Sequence, residues 1–179
     1  LLTFSMQKEG KRFQIQVLDV GQGDGIYIES DAGTEIFVDG GSVDVSEVGK
    51  YRIQPFLKSH GVKEVDYWFV SHCDADHCNG LMELLEADVP IKHLVFSKYV
   101  LRDEAQEELV ALAKRKGCQV LYLEEGECFR DASVRIQAMY PSEKSVEGER
   151  NADSLVLLLE HEAFRGLLTG DIGQEQEKK

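Results

Sequence analysis

Between Ser71 and His77 the chain reads Ser-His-Cys-Asp-Ala-Asp-His, which places two imidazoles, His72 and His77, and two carboxylates, Asp74 and Asp76, within six positions. Borderline divalent ions such as Zn or Mn accept that mixed nitrogen and oxygen donor set. An apolar run precedes the cluster and a helical period follows it, so the cluster falls in a loop between strand and helix. There His72 and Asp74 project alike while Asp76 and His77 open the helix, an arrangement that can divide the ligands between two metals. Two ions about 3.5 to 4 Å apart can activate a water and stabilise both the attacking and the leaving oxygen of a phosphodiester. A chance match to two His and two Asp in this order is on the order of one in a few thousand for such a chain. A metal site therefore outweighs a solvated Asp/His turn. Cys73 and Cys78 bracket the cluster, but a zinc finger needs a second Cys/His pair at finger spacing, and none follows.

Several elements must hold this loop in place. Phe13 to Val20 reads as a strand, followed by a Gly-rich corner. Ile26–Ile28 and Glu35–Asp39 read as two more strands joined through the tight turn Ser30-Asp31-Ala32-Gly33, so the chain opens on an antiparallel meander. A short helix is predicted between Gly49 and His60, then a buried strand over Tyr67–Val70. Leu81, Leu84 and Leu85 predict an amphipathic helix running from the motif to near Asp88-Val89-Pro90. His93–Ser97 reads as a strand, and Asp103–Lys116 as a helix with acids early, bases late and Gly117 as its stop. Strands follow over Gln119–Leu123, Val134–Tyr140, Leu155–Glu160 and Phe164–Thr169, and Gln174–Lys179 reads as a frayed tail or part of a helix. Early strands, βα units and further strands make a layered α/β (α+β) fold, in one domain spanning residues 1–179.

At 179 residues, 42% of them hydrophobic, the chain can bury a sizeable core. Its net charge of −13 repels polyanions, which disfavours tight nucleic-acid binding unless metal or a local patch compensates. Cys73, Cys78, Cys118 and Cys128 form no CxxC pair and no secretory framework. Apolar runs such as Leu155–Leu159 fall far short of the roughly 20 residues that cross a bilayer. The first residues, Leu1 to Met6, have neither an initiator Met nor the pattern of a signal peptide, so the chain reads as a piece of something longer.

Five segments in order, Leu18–Asp24, Phe37–Gly41, Ser71–His77, Asn151–Val156 and Leu168–Asp171, resemble the metallo-β-lactamase superfamily, and within it the ComEC branch of competence DNA-uptake proteins. The resemblance implies a four-layer αβ/βα sandwich, here with its second half incomplete. It implies His72 and Asp74 on one metal, Asp76 and His77 on the other, and Asp171 bridging, with Asp76 and Asp171 as the catalytic carboxylates. Asp39 would stand behind the metal loop, although Asp39-Gly40 reads equally well as a simple turn. Gln22, Asp24, Asn151 and Ser154 would line or support the cleft; Asn151 is either a weak amide ligand or only a hydrogen-bonding partner. The superfamily usually carries a second His where Asp74 stands, and the harder carboxylate shifts preference toward Mn or Mg relative to Zn; the cofactor expected is a divalent pair, Mn or Zn. Asn79 takes the place of a usual glycine just past the motif.

The function so implied is that of a metal-dependent phosphodiesterase, a nuclease acting on a DNA strand during uptake. A membrane channel domain is expected in the parent chain, with this domain extracytoplasmic or membrane-associated and a cytoplasmic place the alternative. In the family the chain continues past Gly170-Asp171 to a late His-His-Gly-Ser motif, so this piece is expected to hold metal weakly or not at all, and either to self-associate or to leave its second sheet partly open. Two other functions compete: a catalytically silent regulatory or docking module, and a hydrolase of small substrates such as lactams or thioesters.

Overall fold

A computed structural model describes residues 12–178; the opening residues read above for processing signals, and Lys179 of the tail, lie outside the described residues. The meander forms as expected, with β1 (Gln14–Val17), β2 (Ile26–Glu29) and β3 (Glu35–Val38) pairing antiparallel in sequence order. Strand β1 is shorter than the apolar pattern suggests; Leu18 still donates its N–H to the Gly25 carbonyl, and the chain turns at Gly21–Gly23.

From β3 onward the first sheet is parallel. Strands β4 (Val65–Phe69), β5 (Ile91–Ser97) and β6 (Gln119–Leu123) extend it to the order β1-β2-β3-β4-β5-β6. Parallel neighbours need crossovers, and helices α1 (Gln54–Ser59), α2 (Ala75–Glu86) and α3 (Glu104–Arg115) supply them. The first predicted helix begins as a π-helical turn over Gly49–Ile53 before α1, a difference from the uniform helix expected there. Helix α3 is started by Asp103, whose carboxylate accepts the Gln106 N–H, and Gly117 ends it with φ of 83°.

A second, antiparallel sheet holds β7 (Cys128–Arg130), β8 (Arg135–Tyr140), β9 (Val156–His161) and β10 (Phe164–Leu168) in the order β10-β9-β8-β7. Strand β7 escaped the sequence reading because three residues are too few to show an alternation; only its pairing with β8 defines it.

Two cores result, one on each face of the first sheet. Phe37, Trp68, Leu94 and Phe96 face the helices and pack with Leu57, Leu81, Leu84, Leu109 and Leu112. Their chain neighbours Ile36, Val38, Phe69 and Val95 point the other way, against Ile136, Ala138, Leu157 and Leu159 of the second sheet. Successive strand side chains alternate faces, so a strand covered on both sides must be apolar throughout. That is why Trp68-Phe69-Val70 is a continuous run. The described layers are thus helix, sheet, sheet, and they bring the loops at the carboxyl ends of β3 and β4 side by side.

Candidate metal centre

The site is built where β3 and β4 end. Asp39, the first residue after β3, donates its N–H to the Phe69 carbonyl at 2.9 Å and sits at φ of 56°, in the left-handed region that non-glycine residues rarely adopt. Its buried carboxylate does two things. One oxygen accepts the Ser71 N–H at 2.7 Å, and the other lies 3.1 Å from Nδ1 of His77. Burial opposes a charge on His77, but the hydrogen bond and charge of Asp39, with Asp171 and Asp24, outweigh it and lift the imidazole to about 9. With Nδ1 so engaged, Nε2 of His77 faces Asp171 at 3.4 Å.

His72 is oriented from its other side. Its Nδ1 lies 3.0 Å from the Ser71 hydroxyl and 3.3 Å from that of Ser154. Its Nε2 is buried without a hydrogen-bond partner, 3.5 Å from an oxygen of Asp74. Burial and the neighbouring His77 hold this imidazole below its ordinary value, so it is neutral and free to donate a lone pair. The two rings stand 4.1 Å apart.

Ligand atoms of His72, His77 and Asp171 all lie within 4.8 Å of one another. These residues fit a divalent ion: two imidazole nitrogens and a carboxylate converge, one nitrogen has no other partner, and a carboxylate backs the second histidine, the usual support of a metal-bound imidazole. Asp24, Asp39 and His77 form a second convergent group on the opposite, Nδ1 side of the same ring. Burial and the surrounding carboxylates, Asp39 foremost, raise the Asp24 carboxyl above its ordinary range.

The backbones that carry these groups touch. A Cβ on Gly41 would lie 2.4 Å from the Ala75 carbonyl, and one on Gly23 2.5 Å from that of Asp76. Only glycine lets the two loops press against the first turn of α2, where the Asp24 N–H reaches the Asp76 carbonyl.

Other expected residues are placed less centrally. Asp76 is half-buried, and its charge is felt by Asp24, but its carboxylate is not part of either convergent group. Gln22 is exposed and works through its backbone, donating to Asp44 and accepting from Val43. Asn151 is exposed as well, its carbonyl accepting the Ser154 N–H. Asn79, in place of a glycine, bonds both ways with the Ser42 backbone. The sequence reading missed Ser71, Arg150 and Asp153. Asp153 is buried and gathers the N–H groups of Glu147, Gly148 and Glu149, shaping the loop that carries Arg150 and Ser154.

A sheet backed by helices on one face and a second sheet on the other, with a histidine and aspartate cluster at the strand ends, is the metallo-β-lactamase fold. The metallo-β-lactamase fold protein YhfI from Bacillus subtilis superposes with a TM-score of 0.59 at 12% identity, over 87% of this chain and 62% of that one. Zn(2+)-bound PqqB from Methylobacterium extorquens superposes at 0.56 and 12%, over 82% and 52%. Among curated proteins the chain is similar to ComE operon protein 3 of Bacillus subtilis (strain 168), 25% identical over 179 residues and 93% of this chain. The chain spans about a quarter of that protein's length, 23%. No family model matches the chain. Among the described residues no helix is long and apolar enough to cross a membrane.

Proposed function

We propose that the chain is a metal-dependent hydrolase domain of a ComEC-like DNA-uptake protein, acting as a phosphodiesterase on a DNA strand. The observation that carries this reading is that ligand atoms of His72, His77 and Asp171 gather within 4.8 Å of one another, with Nε2 of His72 buried and unpartnered. Similarity to ComE operon protein 3 supports the branch. The fold alone does not choose a substrate.

In this reading His72 and Asp74 would hold one ion and Asp76 and His77 the other, with the Asp171 carboxylate near both histidines. Divalent ions, Mn or Zn, would supply an acidified water and neutralise charge at phosphorus. The protein's own residues do the rest. Asp39 keeps Nδ1 of His77 occupied so that Nε2 is presented, and Ser71 and Ser154 do the same for His72. An acidic chain needs that positive charge before a phosphodiester can approach. The whole protein would add a membrane channel and hold this domain outside the cytoplasm or at the membrane. Exposed Met139 and Leu167 on the second sheet would support self-association.

The test is Mn-dependent cleavage of single-stranded DNA by the protein that carries this chain. Cleavage should vanish in Asp76→Ala, and persistence in that variant would sink the proposal. The net charge of −13 favours a second reading, a silent docking module. Absence of bound metal in the purified whole protein would select it.

A further inference from the structure

Arg150, in the loop between β8 and β9, reaches across to the motif. Its Nη1 donates to one oxygen of Asp74 at 2.5 Å, while Nε donates to one oxygen of Asp103 at 2.5 Å and Nη2 lies 2.5 Å from the same oxygen. The other Asp103 oxygen accepts the Gln106 N–H, so the guanidinium is moored to a fixed helix end. Among the described residues Arg150 is the only arginine or lysine paired with a carboxylate of the motif.

Asp74 is itself the residue that begins α2. An aspartate there ordinarily turns its carboxylate back to accept a helix N–H. That bond is not made. Instead the carboxylate faces away from the helix, with Oδ1 on Arg150 and Oδ2 3.5 Å from the unpartnered Nε2 of His72.

We propose that Arg150 is a positioning residue for the metal centre: it holds Asp74 out of its capping conformation so that Oδ2 and His72 Nε2 face the same ion. The inference rests on the metal reading above and concerns how that site is assembled. A guanidinium forks across two carboxylates in a fixed plane, which a lysine cannot do. Two roles for this cation predict opposite signs. If Arg150 only added positive charge, it would repel a divalent ion, and its removal would tighten binding. If it orients Asp74, its removal weakens binding.

The experiment is calorimetric titration of Mn(II) alone into the whole protein that carries this chain and into its variants, with thermal unfolding in chelator as the check on folding. Arg150→Gln is expected to weaken Mn binding about 10- to 100-fold, the usual loss when a residue supporting a metal ligand is removed. Arg150→Lys should recover only part of it. Asp103→Asn keeps an oxygen to cap α3 but loses the mooring charge, so it too should weaken binding although it does not face the ion. The double variant should be no weaker than Arg150→Gln alone. If Arg150→Gln does not fold, Asp103→Asn carries the test. Unchanged or tighter binding in a folded variant, or losses that simply multiply in the double variant, would overturn the proposal. Failure of the unaltered whole protein to bind Mn would overturn the metal reading, and this inference with it.

Discussion

Asp39 meets His77 at 3.1 Å, carboxylate oxygen to Nδ1, and in doing so decides that Nε2 is the nitrogen turned toward Asp171. The same carboxylate takes the Ser71 N–H, so a single side chain sets both the start of the motif loop and the histidine at its end. Asp39→Asn keeps an acceptor for Ser71 and tolerates the left-handed backbone, but loses the charge behind His77. It should stay folded and bind Mn about 10- to 100-fold more weakly. Asp39→Ala also leaves the buried Ser71 N–H unsatisfied, at a cost of about 1–3 kcal/mol in urea unfolding. Equal stability of the two variants would contradict this division of labour.

Gly41 has no room for a side chain, because its Cβ would strike the backbone of Ala75 and Asp76 at 2.4 Å. Backbone cannot swing aside as a long side chain can. Gly41→Ala should therefore lower stability by about 1–3 kcal/mol, as overpacking does, and lower Mn affinity as well. Denaturant unfolding and the same metal titration check both effects. Loss of stability with unchanged metal affinity would mean that the loops move without disturbing the site.

Metal binding to the folded chain alone must stabilise it. Mn at about 100 times its dissociation constant should add about 2.7 kcal/mol to the unfolding free energy, reversed by chelator. Asp171→Ala removes the carboxylate that both histidines face and should abolish the increment. A stabilisation that survives in Asp171→Ala would place the ion elsewhere.

Asp131 gives a pH dependence away from the metal centre. Burial raises its carboxyl, but bonds from Ser30, the N–H groups of Ser133 and Val134, and Thr34 outweigh that and hold it at about 2. A depressed carboxyl contributes stability above its unfolded value of about 3.9, and the contribution is lost as pH falls toward about 2. Because Thr34 belongs to the first sheet's turn and Asp131 to the second, the lost bond loosens the contact between sheets. Asp131→Asn should cost about 1 kcal/mol at neutral pH, discounted for partial exposure, with the difference vanishing below about pH 2. A constant difference across pH would show that the charge is not what matters.

The sequence by itself determined much of this protein. The turn between Ile26–Ile28 and Glu35–Asp39, the apolar run before the motif and the leucine spacing after it set strand, loop and helix in order, and the loop's residue types marked a candidate metal site. Those features are local: they depend on a few neighbouring residues and on which face of an element is buried. The tertiary structure alone decided the rest. It made β7 a strand by pairing it with β8, left Gln22 and Asn151 exposed, and joined Asp74 to Arg150 across 76 positions of sequence. No periodicity carries such contacts. They exist because stacking two sheets brings the loops at their ends together, and only then does a carboxylate at the start of α2 have an arginine to meet.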